Sequence, residues 1–208
     1  MVIDNSASQN LNCEALPVIA LDALSGMHIG KRSRISIFTL GSPVSSWEPV
    51  KAIDMAAPRK GGSMFGGSFT DELKKACAGF AQVDSSSIFR ALQVAVEHLR
   101  GEGCGEAGVP CKLVIESDGE ENVTRAFYAP AGGEGKGVPS INNTGIRVIW
   151  CGYAVTDGGG APRGERTNAL LTRWRAAFTE PSNVTFKPFC AGTGPTRNAA
   201  IKGARNAR

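Results

Sequence analysis

Short apolar runs alternate along this chain with longer stretches in which apolar side chains recur every three or four positions. That alternation constrains the fold more than any other feature. A strand that is apolar on both faces must be covered on both, and helices joining parallel strands by right-handed crossovers supply the cover. Val2-Ile3 is an apolar stub leading straight into Asp4. Residues 10–27 are rich in helix formers, opened by Asn10 and Asn12, and Pro17 predicts a kink. Ile35 to Leu40 alternates as a strand, and the turn Gly41-Ser42-Pro43 leads to a second run from Trp47 to Val50, which predicts a hairpin. Thr70 to Ala81 reads as a helix. Ser87 to Arg100 reads as a better one, with Ile88, Leu92, Ala95, Val96 and Leu99 on one stripe. Leu113 to Ile115 and Ile146 to Trp150 read as strands buried on both faces, Asn168 to Phe178 as an amphipathic helix, and Val184 to Phe189 as an edge strand marked by Pro188. The expected fold class is α/β, a doubly wound and mostly parallel sheet.

The chain has 208 residues, 42% hydrophobic and 20% charged, which suits one domain with a core of its own. No apolar run approaches the ~20 residues of a membrane helix, so no membrane span is expected. Residues 1–10 show no basic start followed by an apolar stretch, so no signal peptide is present as written. With Asp4 only three residues from the start, the first strand is expected to be truncated as written, with an upstream start and an export signal as the matching expectation. Of the 23 basic residues, Arg197, Lys202, Arg205 and Arg208 fall in an acid-free tail, which leaves the body neutral against 19 acids. No nucleic-acid partner is expected from so even a balance. The expected domain covers residues 1–190, with a basic disordered tail over 191–208. Six cysteines stand at 13, 77, 104, 111, 151 and 190, none in the CxxC spacing of a metal or redox site. Cys104 and Cys111 bracket a Gly-rich turn; a short disulfide and a pair of free thiols are both consistent with that spacing. Cys13 and Cys151, in apolar stretches, read as small core residues. Three Gly-rich stretches, 58–68, 129–140 and 156–165, are long enough to predict functional or mobile loops.

The chemistry concentrates in three segments. Asp4-Asn5-Ser6-Ala7-Ser8 follows the first strand, Asp84-Ser85-Ser86-Ser87 precedes the amphipathic helix, and Ser117-Asp118-Gly119 ends an apolar strand. Ligands of open parallel sheets bind beyond the carboxyl ends of the strands, where strand order reverses, and Asp4 and Asp118 both stand at such ends. Glu116 occupies a strand position where an apolar residue is expected. A structural ion pair with Arg147 is the expected explanation, and an electrostatic influence on the site the alternative. His28 and His98, the only histidines, read as packing or capping residues.

Taken together, DNSAS, SSSIFRAL, VIESDGEEN and GIRVIWCGY resemble a von Willebrand factor type A domain with its metal-ion-dependent adhesion site, over residues 2 to 189. The resemblance implies a six-stranded sheet of order 3-2-1-4-5-6 with one antiparallel edge strand. It implies that Ser6 and Ser8 bind Mg²⁺ (or Mn²⁺) directly, that Asp4 and Asp118 act through water, and that Ser86 supplies the hydroxyl that is a threonine's in the family pattern. Neutral hydroxyl ligands would leave the ion enough charge to capture an Asp or Glu carboxylate on a protein partner. The expected function is therefore cation-dependent protein binding rather than catalysis. Two other readings stand beside it. One is an interaction domain without metal. The other is a Mg²⁺-dependent hydrolase or phosphotransferase with Asp4 as nucleophile, opposed by Ser6, which stands where such phosphatases carry a second carboxylate.

Overall fold

The computed structural model describes residues 1–6, 13–25, 27, 33–40, 49, 51–55, 67–81, 87–106, 109–120, 140–153 and 165–191. In chain order the elements are β1 (Val2–Ile3), α1 (Leu16–Leu24), β2 (Ser33–Thr39), β3 (Lys51–Met55), α2 (Gly67–Ala78), α3 (Ile88–Gly101), β4 (Cys111–Glu116), β5 (Ile146–Cys151), α4 (Glu165–Ala177) and β6 (Val184–Lys187). The strands form one sheet in the order β3-β2-β1-β4-β5-β6. Neighbours are parallel except β2 and β3, which pair antiparallel with Ile35 opposite Ile53. This is the expected α/β architecture and strand order.

Alternate residues of the strands feed two layers. Val2, Phe38, Leu113, Ile115, Val148 and Trp150 pack with α3 and α4 on one face. Ile3, Ile35 and Ile37 pack with α1 and α2 on the other. The stripe on α3 buries as its period predicts, with Ile88, Leu92 and Ala95 all fully covered. No described helix is long and apolar enough to cross a membrane.

Several local expectations are corrected. Pro17 does not kink a long helix; it sits in the first turn of α1, where its missing N–H would have no intrahelical partner anyway. Of the expected second run of the hairpin, 47–50, all but Pro49 lies outside the described residues; the strand that pairs with β2 is Lys51–Met55, whose alternation puts Ile53 against Ile35 in the core. All six cysteines are paired, Cys13 with Cys77, Cys104 with Cys111 and Cys151 with Cys190. The short bridge resolves the open reading of Cys104 and Cys111. Cys13 and Cys151 are bridged rather than free core thiols; their partners lie 64 and 39 residues away, which no local spacing reveals. The tail beyond Ala191, His28 and most of the three Gly-rich stretches lie outside the described residues.

Candidate functional site

β1 is central, and its carboxyl end delivers Asp4 between two neighbours. Ile3 stands opposite Thr39 of β2 and Glu116 of β4, so the next step places Asp4 beside Ser117. The Asp4 amide donates to the Glu116 carbonyl at 2.9 Å. The Asp4 carboxylate, 2% exposed, accepts from the Ser6 amide at 3.0 Å through Oδ1 and from the Ser117 hydroxyl at 2.6 Å through Oδ2. The first bond closes an Asx turn that reverses the chain out of the strand. The second crosses 113 residues of sequence.

Ser117 is the hub on the β4 side. Its hydroxyl accepts the Gly119 amide at 3.0 Å while donating to Asp4, and its carbonyl accepts the Trp150 indole N–H at 3.0 Å. The Glu120 amide closes a second Asx turn onto Asp118 Oδ1 at 2.9 Å. Gly119 has φ of 83°, its carbonyl accepts the Trp174 indole N–H at 2.8 Å, and a Cβ there would meet that indole nitrogen at 3.3 Å. Glycine is thus required where the chain leaves β4 beneath two packed tryptophans, and the backbone carrying Asp118 is fixed from both sides.

Asn5 ties in the remaining segments. Its side-chain oxygen accepts the Leu40 amide at 3.0 Å, and its nitrogen donates to the Ala81 carbonyl. The end of β2 and the start of the connection from α2 to α3 are therefore anchored to the same strand end. Of the five candidate ligands, Asp4, Ser6 and Asp118 fall on this edge of the sheet; Ser8 and Ser86 lie outside the described residues. Ser117 and Asn5 were not among the sequence candidates. A hydroxyl and an amide flanking the two aspartates were the available signal, but their roles depend on partners far away in sequence.

Glu116 is not paired with Arg147, contrary to expectation. The parallel register puts Arg147 opposite Lys112 and Glu116 opposite Cys151, four residues along the strand, and Arg147 is exposed. Close packing around the Glu116 carboxyl, and then the neighbouring Asp4 charge, push its pKa up to about 7. The alternative reading, an electrostatic partner of Asp4, is the one the packing favours.

Among the described residues Asp4, Ser6, Ser117 and Asp118 bring two carboxylates and two serine hydroxyls to this edge. Such a set fits a small hard cation such as Mg²⁺ and fits poorly a softer one that selects nitrogen or sulfur. Among the described residues no three His, Cys, Asp or Glu side chains cluster as a metal-binding group. No family model matches the chain, and neither a curated protein nor a solved structure is detectably similar to it.

Proposed function

We propose that the chain is a divalent-cation-dependent protein-binding domain that captures an Asp or Glu carboxylate of a partner at the carboxyl edge of its sheet. The observation that carries this reading is the immobilised Asp4. Its carboxylate is buried, held by Ser6 and Ser117, and set on the strand adjacent to the one that delivers Asp118. Asp4, Ser6, Ser8, Ser86 and Asp118 would hold the ion, which when bound supplies a positive centre for an external carboxylate. The residues' own part is to fix the oxygens beforehand. The two Asx turns and the Ser117 bridge set the carboxylates, so little ordering remains when cation and partner arrive.

The nucleophile reading is weaker, since both Asp4 oxygens already accept hydrogen bonds and the side chain is buried. The metal-independent reading draws on the same bonds, which complete a polar network without an ion. Three disulfides favour an oxidising, extracytoplasmic setting. Calorimetric titration with Mg²⁺ and Mn²⁺ separates the readings. One-site binding, abolished in Asp118→Ala and Ser6→Ala with the far-ultraviolet spectrum unchanged, is expected. Absence of heat with either ion in the intact protein would sink the cation-dependent reading.

A further inference from the structure

Asn142-Asn143-Thr144-Gly145 leads the chain into β5. Asn143 is fully buried: its nitrogen donates to the Glu180 carbonyl at 3.0 Å, and its side-chain oxygen accepts the Glu180 amide at 2.8 Å. Asn142 and Thr144, on either side of it, are exposed. Three donors meet Asn142 Oδ1: the Thr144 hydroxyl at 2.9 Å, the Thr144 amide at 3.3 Å and Arg100 Nη2 at 2.9 Å. A guanidinium and a backbone amide can only donate, so the atom they meet is the side-chain oxygen. The Asn142 nitrogen donates to none of the described residues, on a side chain open to solvent.

Asn-x-Thr, with x other than Pro, is the acceptor pattern for N-linked glycans, and the bulk of the sugar confines it to exposed amides. We propose that Asn142 is such an acceptor, taking an oligosaccharide from a lipid-pyrophosphate carrier as the chain is exported. Its nitrogen forms the bond to the anomeric carbon of the first sugar, and that carbon's bond to the pyrophosphate oxygen breaks. The lipid pyrophosphate leaves with the electron pair, and one amide proton passes to a base of the transferase. Three disulfides fit the oxidising compartment that this transfer requires. Because Asn142 precedes β5, the glycan stands at the amino edge of the sheet, away from Asp4 and Asp118 at the carboxyl edge. Asn183-Val184-Thr185 repeats the pattern in a different setting. Asn183 is half-buried, its nitrogen donates to the Glu180 carboxylate, and Thr185 pairs with Ile149 in β6. A sugar on that nitrogen competes with the bond to Glu180, whose Oε2 also accepts the Gly145 amide at 3.3 Å. Asn122-Val123-Thr124 lies outside the described residues.

The test sends the full chain through the secretory route of a eukaryotic cell line behind a cleavable leader. Peptide:N-glycosidase in heavy-oxygen water then turns each glycosylated Asn into a mass-tagged Asp. The tag is expected at Asn142 in most chains and at Asn183 in few, and Thr144→Ala should lose it at Asn142. The glycosylated chain should form its three disulfides and match or exceed the Tm of its enzyme-stripped form. Chain retained inside the cell is digested alongside the secreted chain, so failed export still reads the site. An untagged Asn142, a tag there that survives Thr144→Ala, or equal tagging of Asn183 overturns the proposal. So does a glycosylated chain that fails to form its disulfides while Thr144→Ala forms them.

Discussion

The two ends of this sheet solve opposite problems with the same strands. At the carboxyl edge Asp4, Asn5, Ser6 and Ser117 are all buried; Asp4 accepts from the Ser6 amide and the Ser117 hydroxyl, and Asn5 accepts from the Leu40 amide. At the amino edge a cavity lies between β2 and β4, and beside it Ser36 Oγ and His98 Nε2 meet at 2.9 Å in a half-buried pair. Among its lining residues Arg34 reaches Asp54 and Glu102 at 2.7 and 3.0 Å in ion pairs open to solvent. A polar group in a closed site must be matched within the protein, whereas one beside an open cavity can exchange its partner for water. The carboxyl edge is therefore the rigid end and the amino edge the permissive one.

Disulfide removal offers the strongest way to break this comparison. Cys13–Cys77 closes a long loop, with separation 64, whereas Cys104–Cys111 beside the cavity has separation 7. Chain entropy alone assigns about 4 kcal/mol to the first and about 2.5 kcal/mol to the second. Urea unfolding of Cys13→Ser/Cys77→Ser and Cys104→Ser/Cys111→Ser should show the larger loss in the first pair. A reversed order would place the rigid end elsewhere.

Glu116 gives the next effect, and its sign is set by a pKa raised from 4.5 to about 7. The folded state holds the proton more tightly than the unfolded one. The stability this contributes is complete below pH 4.5, declines as pH rises, and is gone above about pH 7. Between pH 4.5 and 7.5 in EDTA the protein should lose on the order of 2–3 kcal/mol through this group, and Glu116→Gln should lack that slope. Parallel pH profiles for the two proteins would remove Glu116 from the account.

Smaller effects sharpen the contrast between the edges. Ser117→Ala leaves Asp4 Oδ2 without its buried donor and should cost about 2 kcal/mol. Ser36→Ala, beside the cavity, should cost below ~1 kcal/mol, since water can reach His98. Equal costs in chemical denaturation would show that both ends are equally closed.

The stripe of Ile88, Leu92 and Ala95, the apolar runs of β4 and β5, and the aspartates at two strand ends were readable because each depends on neighbours in sequence. Pro17, the position of β3 and the absence of a Glu116–Arg147 pair were not. Pro17 turns on where its helix begins, and the other two on which residue stands across the sheet, where an offset of a few positions changes the answer. Ser117 and Asn5 escaped notice for the same reason: their partners lie 113, 35 and 76 residues away.

Periodicity and turn chemistry by themselves determined an α/β chain with polar groups at strand ends, because those preferences are local. Tertiary structure alone decided that Asp4 leans on Ser117, that distant cysteines pair, and that β2 and β4 part around a cavity below Met1. Such contacts form only when segments remote in the chain are packed side by side, and nothing in either segment names the other.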